Sequence, residues 1–355
     1  MKVESSSNKR ADLLAKLRSA AANKPTPAYV NSTRLNVYAS PNTRMRKNHQ
    51  IFIEERKTTH LTTLVKPNNV IRTNLPWGSF NGSIVELGSN YLCVYRSTEF
   101  EISICTFNPD FTVQPNSIHP IVTNVHACDP RLIWHNNKLL TFFSSVSEGF
   151  YFEHIRYMNL TEGKETIRVS PPELKMRQKN WTPFIYNGDL YVVTSICPHV
   201  VYKLDLQKTE PYTLEGKSGK RISLVPPYES EWSSVWFHDQ FLRGNTNPVQ
   251  LEDGNYLSTF HTVVYDNTRR CYYNGCYVFE GKPPFKVLRC ATRSFLKAED
   301  ACEPYFRRSG EVVVTFPMAM IRKGNDLLIS YGDNDSIIKI LKTTVAEMLD
   351  TTVPV

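Results

Sequence analysis

Long apolar runs, a signal-peptide core and paired cysteines are all missing from this sequence of 355 residues. No stretch approaches the roughly 20 apolar residues of a membrane-spanning helix, and the segment from Met1 to Arg10 has no secretory apolar core. We therefore expect a cytoplasmic protein that does not enter a membrane. Because no Cys-x-x-Cys pair suggests zinc, we expect free thiols that pack as small hydrophobic residues, as at Cys93, Cys105, Cys197 and Cys276.

Negative charge is also in short supply, since the formal net charge is +8. Much of the positive excess lies in residues 1–50, where residues 13–22 have the pattern of a short amphipathic helix and the remainder is rich in Ser, Asn, Pro and Thr. We predict a basic, partly helical N-terminal arm over residues 1–50 and no nucleic-acid partner. The positive charge that remains beyond the arm suits a phosphate or nucleotide-sugar ligand.

What the sequence does contain is a pattern that occurs five times. A short apolar run, a Gly, Asn or Asp turn and a second run of apolar and aromatic residues follow one another in each copy, as expected for a β-hairpin. The turns are centred near Ser89, Asn136, Gly188, Gly254 and Asn325. The spacing leaves room for four strands per copy, which predicts an all-β, five-bladed propeller over residues 51–355.

In a propeller the first strand of each blade lines the central axis, so the residues that begin these strands converge. Four copies begin with proline, and the residues before these prolines are Asp129, Thr182, Asn247 and Phe316. Only Asp129 is a carboxylate, and Arg131 beside it could hold this acid in place or contact an anionic ligand. Asp129 is therefore either an axial acid or a turn cap, as Asp-Pro sequences often are.

Other blade entrances add the groups that a sugar-and-phosphate site needs: cations, amides, a histidine and an aromatic ring. Each has a structural alternative, because a cation can pair with a surface carboxylate and Trp181 or His261 can belong to the core. The candidates are Asn81, Arg96, Lys179, Asn180, Trp181, Arg243, His261, Asp333 and Asp335.

Five segments together resemble a known family. They are Asp129-Pro130-Arg131, Lys179-Asn180-Trp181-Thr182-Pro183, Arg243-Gly244-Asn245-Thr246-Asn247-Pro248, Phe260-His261, and Thr315-Phe316-Pro317 with Tyr331-Gly332-Asp333-Asn334-Asp335. They are similar to the five-bladed inverting β-mannoside phosphorylases and, more closely, to the protozoan β-1,2-mannan (mannogen) mannosyltransferase/phosphorylases. The resemblance covers about residues 75–341 and leaves the arm outside.

The resemblance implies roles for individual residues. Asp129 would be the sole catalytic acid, Asn81 and Arg96 would hold the mannosyl residue, and Asp335 would be a sugar-binding acid. The predicted phosphate site is Lys179, Arg243 and His261, and Arg156 is a weaker match to a further family arginine. The Gly244-Asn245-Thr246-Asn247-Pro248 segment departs from the phosphorylase pattern and favours the transferase-like branch.

The predicted reaction is inverting transfer or phosphorolysis of β-1,2-mannan oligosaccharides. Phosphate is already an anionic nucleophile, so one acid suffices and no metal or cofactor is expected. The predicted ligands are mannan oligosaccharide, inorganic phosphate, mannose 1-phosphate and GDP-mannose. Two alternatives remain open, a β-mannosidase with Asp333 or Asp335 as base and a non-catalytic carbohydrate-binding propeller.

Overall fold

The computed structural model describes residues 64–66, 68–98, 100–121, 123, 125–146, 153–163, 166–170, 179–214, 217–231, 242–266, 269–297 and 312–355. The predicted arm of residues 1–50 lies outside these ranges. The described chain is nearly all β, and the strands form four sheets. Within the described ranges, no helix has the length and apolar character required to span a membrane.

The first sheet contains four antiparallel strands in sequential order. A short strand, β1, precedes it and pairs elsewhere. The bounds are β1 (Val70–Arg72), β2 (Phe80–Leu87), β3 (Asn90–Arg96), β4 (Ile102–Phe107) and β5 (His119–Ile121).

The second sheet joins two groups of four strands, and a single parallel pairing between Arg221 and Arg168 connects them. The first group is β6 (His126–His135), β7 (Lys138–Val146), β8 (Glu153–Asn159) and β9 (Ile167–Arg168). The second is β10 (Thr182–Tyr186), β11 (Asp189–Ser195), β12 (His199–Leu214) and β13 (Lys217–Leu224), with β14 (Tyr228–Ser230) beside β12.

The third sheet is built around two long antiparallel strands, β17 and β18. Its elements are β15 (Arg243–Gly244), β16 (Val249–Gln250), β17 (Tyr256–Asp266), β18 (Arg269–Phe279), β19 (Val287–Ala291), β20 (Leu296–Lys297) and β21 (Val312–Val313).

The first and last strands of the described chain are edge strands of sheets that other segments form. The fourth sheet contains β22 (Thr315–Lys323), β23 (Asp326–Asp333) and β24 (Ile337–Thr344), and β1 pairs with β24 as its edge strand. A capped helix, α1 (Val345–Asp350), leads to β25 (Thr352–Pro354), which pairs with β19 of the third sheet. Pairing across long sequence separations therefore closes the sheet arrangement at two places.

All five predicted hairpins are present. At their tips, Leu87 pairs with Asn90, His135 with Lys138, Tyr186 with Asp189, Gln250 with Tyr256, and Lys323 with Asp326. Each turn contains Gly or Asn with positive φ, as the sequence predicts: Gly88, Asn136, Asn137, Asn187, Gly188, Gly254 and Gly324.

The first strands of the hairpins converge, also as predicted. β2 packs against β6 and β22, and β6 also contacts β10 and β22. Between the sheets lie apolar clusters, and the described cysteines are buried free thiols within them or beside them. This packing brings the beginnings of β2, β6, β10 and β22, with the residues that precede them, close to one another.

Candidate active site

Asp129 lies at the centre of the converging strands. The register between β6 and β7 shifts between Cys128 and Arg131, so Asp129 sits in a bulge. Its side chain is largely buried and accepts two hydrogen bonds at Oδ1, from Asn81 Nδ2 at 2.9 Å and from Arg96 Nη1 at 3.2 Å. The structure thus joins the predicted acid to the two predicted mannosyl-binding residues.

A left-handed backbone conformation marks several of these positions. Asn81 has φ 50°, Asp129 has φ 51° and Asn180 has φ 61°. Short polar side chains tolerate this conformation better than other residues except glycine. Gly332 supports the arrangement from β23, because a Cβ there would overlap the amide oxygen of Asn81. Repeated Asn or Asp beside strand beginnings is a signal in the sequence, whereas the need for Gly332 is visible only in the packing.

The charge of Asp129 is set by its neighbours. Burial alone would raise the pKa of this carboxyl, but Arg96, Lys179, the Asn81 hydrogen bond and Arg131 together lower it to about 2. Asp129 is therefore ionised at neutral pH in the protein without ligand. Lys179 contributes to the field at this carboxylate, so the predicted phosphate site and the predicted acid are electrostatically linked.

Arg96 completes this charged group. Burial by itself would lower the pKa of its guanidinium, but Cys128, Asp129 and Asp335 outweigh burial and raise it. Asp335 is thus close enough to act on Arg96, and its backbone also has positive φ, at 48°. The structure brings this predicted sugar-binding acid to the same group as Asp129.

The sequence suggested two roles for Arg131, to hold the acid in place or to contact an anionic ligand, and its contacts in the structure correspond to the first. Its guanidinium is buried and donates to three backbone carbonyls, from Nη1 to Asp129 at 3.2 Å, from Nε to Asn245 at 2.9 Å and from Nη2 to Gly244 at 3.3 Å. Burial lowers the pKa of Arg131 to about 10, although Asp129 opposes this effect. The side chain ties the Asp129 bulge to the beginning of the third sheet.

The three predicted phosphate ligands come from adjacent segments. Arg243 on β15 is the cross-strand partner of His261 on β17. Gly244 packs so tightly on the Lys179-Asn180 segment that a Cβ there would lie 2.7 Å from the Asn180 carbonyl oxygen. Lys179 and Arg243 are partly exposed, whereas His261 is buried. Two cations and an imidazole therefore lie beside the Asp129 group.

Trp181 and Asp333 lie deeper than a ligand platform or a free base would. Trp181 is 2% exposed and stacks on Tyr202 with an interplanar angle of 5° inside an apolar cluster. Asp333 is fully buried and paired with Lys339 at 2.5 Å. The core alternative for Trp181 is thus the one that the structure supports, and Lys339 is a partner that the sequence did not suggest.

Asn180 presents a buried acceptor. Its side chain is 6% exposed, and its Oδ1 has no hydrogen-bond donor among the described residues. Asn81 Oδ1 is in the same situation. Buried amide oxygens normally have partners, so these two atoms are suited to hydroxyl groups of a ligand.

Arg156 lies on β8, two strands from Asp129, and its cross-strand partner Phe143 lies opposite the bulge that contains Asp129. It pairs across strands with Phe143 and with Arg168. Burial, followed by Arg168 and Arg156, lowers the pKa of His154 to about 4. The described residues therefore form a second cationic group on β8 and β9, which the sequence did not predict.

Comparison with known proteins gives a partial family match. The model of a glycoside hydrolase family, described as family 130, β-1,4-mannooligosaccharide phosphorylase, matches residues 212–353. This segment includes Arg243, His261, Asp333 and Asp335 but ends short of Asp129 on the N-terminal side. No curated protein matches the sequence.

Solved structures resemble the chain over most of its length. A β-1,2-mannobiose phosphorylase from Listeria innocua covers 82% of this chain and 96% of its own, with 15% identity and a TM-score of 0.55. A glycosyl hydrolase from Bacteroides ovatus covers 83% and 95%, with 12% identity and a TM-score of 0.54.

A third structure comes from work on glycoside hydrolases within the mannoside phosphorylase family, which target β-1,2 mannosidic linkages in Candida mannan. It covers 81% of this chain and 93% of its own, with 12% identity and a TM-score of 0.53. At such identities the structures establish a shared fold. Together with the family match, they confirm the resemblance to the β-mannoside phosphorylase superfamily.

Proposed function

Because the chain resembles β-mannoside phosphorylases in its family match and its fold, we propose that it is an inverting β-1,2-mannosyltransferase/phosphorylase. The observation that carries this proposal is one carboxylate, Asp129, that contacts Asn81 and Arg96 and is also within the electrostatic influence of Lys179. Lys179 belongs to the segment against which Gly244 packs, and Gly244 follows Arg243, the cross-strand partner of His261.

In phosphorolysis, a phosphate oxygen held by Lys179, Arg243 and His261 attacks the anomeric carbon of the terminal mannosyl residue. The carbon–oxygen bond to the mannan breaks, and Asp129 gives a proton to the departing oxygen, directly or through a sugar hydroxyl. The products are mannose 1-phosphate and a shortened mannan. The anomeric configuration inverts because a single displacement occurs.

In synthesis, Asp129 takes the proton from an acceptor hydroxyl while mannose 1-phosphate or a nucleotide-mannose donates the mannosyl group. The ionised state of Asp129 in the unliganded protein suits this direction. For phosphorolysis the carboxylate must first be protonated. A bound phosphate would favour that step, because its negative charge offsets the charge of Lys179.

The two buried amide oxygens support mannose as the ligand of the other half of the site. Asn81 and Asn180 offer acceptors without described donors, and mannosyl hydroxyls supply donors. Asp335, beside Arg96, adds a carboxylate for a further hydroxyl. Arg131 supports the site from behind through its three carbonyl contacts.

We also propose the finer architecture that the repeat predicts. Five hairpins begin five four-stranded blades, two of which are joined as the second sheet, and residues 51–355 form the catalytic propeller. Residues 1–50 form the basic arm. GDP-mannose as donor, mannogen as product, the transferase-like branch and a cytoplasmic location rest on the sequence alone, with the Gly244-Asn245-Thr246-Asn247-Pro248 segment as the argument for the branch.

The test is incubation with β-1,2-mannan oligosaccharides in the presence and absence of phosphate, with Asp129→Asn as the inactive control. Mannose 1-phosphate that appears only with phosphate supports phosphorolysis. Free mannose without phosphate identifies a hydrolase, which the resemblance to the family-130 hydrolases keeps as the second candidate. Binding without any product identifies a carbohydrate-binding protein. A parallel reaction with GDP-mannose and a short acceptor tests the transferase activity.

A further inference from the structure

Within the third sheet, two buried side-chain amides connect β18 to His261 on the neighbouring strand β17. Asn274 on β18 is fully buried, and its Nδ2 donates to the carbonyl of Leu296 at 2.9 Å and to the carbonyl of Thr315 at 3.1 Å. Backbone carbonyls only accept hydrogen bonds. The orientation of the Asn274 amide is therefore fixed, and its Oδ1 must act as an acceptor.

The orientation of the Asn274 amide determines the orientation of the Asn245 amide. Asn245 is fully buried, and its Nδ2 donates to Asn274 Oδ1 at 2.9 Å. Its own Oδ1 must then face His261, where Nδ1 lies at 2.6 Å. Because an amide oxygen cannot donate, the hydrogen in this contact belongs to His261 Nδ1.

Packing fixes the position of the His261 ring, in addition to the position of its proton. Tyr272 stacks on the His261 ring with centroids 5.3 Å apart and an angle of 26°, and Phe316 packs against it edge-on at 5.1 Å. Arg131 Nε holds the backbone carbonyl of Asn245. The imidazole can neither rotate nor exchange its tautomer without breaking this network.

The charged and titratable neighbours of the ring come from several elements. Arg243 pairs with His261 from β15, Tyr272 stacks on it from β18, and Arg131 reaches the same loop from β6. β22 contributes Phe316, which has no charge.

From these contacts, and resting on the proposed phosphate site, we infer that Asn245 is a positioning residue that holds His261 with its proton on Nδ1 and presents Nε2 to the anion. In the neutral ring Nε2 is an acceptor. The site thereby selects a dianion that carries a hydroxyl, such as inorganic phosphate. A dianion without a hydroxyl, such as sulfate or the phosphate group of a sugar phosphate, binds Nε2 only after the ring takes one proton from solvent.

Phosphate and sulfate can be used to compare an anion that donates a hydrogen bond to Nε2 with one that cannot. Both are tetrahedral dianions at pH 8, and only phosphate keeps a hydroxyl. Titration calorimetry at pH 7, 8 and 9 gives Kd and the number of protons taken up. We expect sulfate binding to take up protons and the ratio of sulfate Kd to phosphate Kd to rise by up to about tenfold per pH unit. Phosphate binding should take up none at pH 8 and above.

The Asn245→Ala variant removes the acceptor for Nδ1, so the ring can move its proton to Nε2 and donate to either anion. The sulfate-to-phosphate ratio should then become independent of pH. Asn247→Ala is the matched control, because Asn247 also donates its Nδ2 to a single carbonyl, that of Leu132 at 2.7 Å, whereas the acceptor for His261 Nδ1 is Asn245. We expect this control to keep the pH dependence of the wild-type protein.

A spectroscopic measurement keeps the inference testable if Asn245→Ala fails to fold. Nitrogen-15 chemical shifts of the histidine rings in the wild-type protein report the tautomer, and His261→Gln assigns the signal. Protonated Nδ1 and unprotonated Nε2 support the inference, whereas the opposite tautomer overturns it. A pH-independent ratio in the wild-type protein also overturns it. If neither anion binds the wild-type protein, the proposed phosphate site itself is wrong.

Discussion

Among the residues that the structure describes, Asp129 and Asp333 are two buried carboxylates with cationic partners, and they differ in how completely they are enclosed. Asp129 contacts Arg96 at 3.2 Å, and each side chain keeps 9% exposure. Asp333 contacts Lys339 at 2.5 Å, and its side chain has 0% exposure. The residual access of Asp129 allows a ligand to share the carboxylate, whereas Asp333 is sealed within β23.

The partners of the two carboxylates differ in the same direction. Asp129 receives two side-chain hydrogen bonds and the field of Lys179, which comes from another segment of the chain. The ion pair of Asp333 is made within the fourth sheet, with Lys339 on the neighbouring strand β24. Under the proposed function, Asp129 is the carboxylate that takes part in the reaction, and we expect Asp333 to contribute to stability.

Asp129→Asn gives the largest expected effect on activity. Asparagine keeps the shape and tolerates the positive φ of this position, but it cannot transfer a proton, so kcat should fall by about 10²–10⁴-fold. Steady-state production or consumption of mannose 1-phosphate measures the loss. Activity within a few-fold of the wild-type protein would mean that Asp129 is a structural cap. Asp129 and Asp333 would then not differ in function.

Asp333→Asn should instead destabilise the fold. The substitution leaves the Lys339 ammonium buried without its carboxylate, a change that costs about 3–5 kcal/mol of the free energy of unfolding. Urea denaturation measures it, and Asp326→Asn, at the exposed beginning of the same strand, is the matched control with an expected change within about 0.5 kcal/mol. Normal stability with lost hydrolysis would favour the hydrolase with Asp333 as base.

The sequence predicted those features of the fold that depend on local pattern. The five hairpins, their Gly and Asn turns and the convergence of the strand beginnings follow from period, turn chemistry and the propeller hypothesis, and all are present. The pairing of β25 with β19 and the junction of β13 with β9 were not predicted, because they join segments by tertiary packing alone.

For individual side chains as well, the sequence did not predict contacts that depend on tertiary packing. The family resemblance implied that Asn81 and Arg96 belong to the same site as Asp129, and the three side chains are in contact. The contacts of Arg131 were not predicted, because two of its acceptors are backbone carbonyls more than a hundred residues away in the sequence. Trp181 belongs to the core for a similar reason, since Tyr202 covers its ring. Composition near a strand does not reveal which neighbour will cover a side chain.

Substitution of Lys179 or Arg243 by methionine tests whether the cations near Asp129 bind anionic ligands. Each variant removes a charge-assisted contact, so affinity for phosphate and mannose 1-phosphate should fall by about 1.5–3 kcal/mol while neutral mannan binds as before. Lys138→Met removes an exposed pair with Glu162 and serves as the control. Equal losses for charged and neutral ligands would show that Lys179 and Arg243 act on folding.

The smallest expected effect is on stability in acid. Because the pKa of Asp129 is about 2 in the folded protein and 3.8 is its ordinary value, ionised Asp129 contributes about 2 kcal/mol to the free energy of unfolding. The folded pKa is the lower one, so this contribution is fully present above the ordinary value and is lost as the pH falls toward 2. By pH 3 roughly half of it should be gone. Urea denaturation of the wild-type protein and of Asp129→Asn from pH 6 to pH 3 measures the contribution as a difference, which should narrow with acid. A difference that stays constant would mean that the cations do not stabilise the carboxylate, and Asp129 would then be enclosed for the same structural purpose as Asp333.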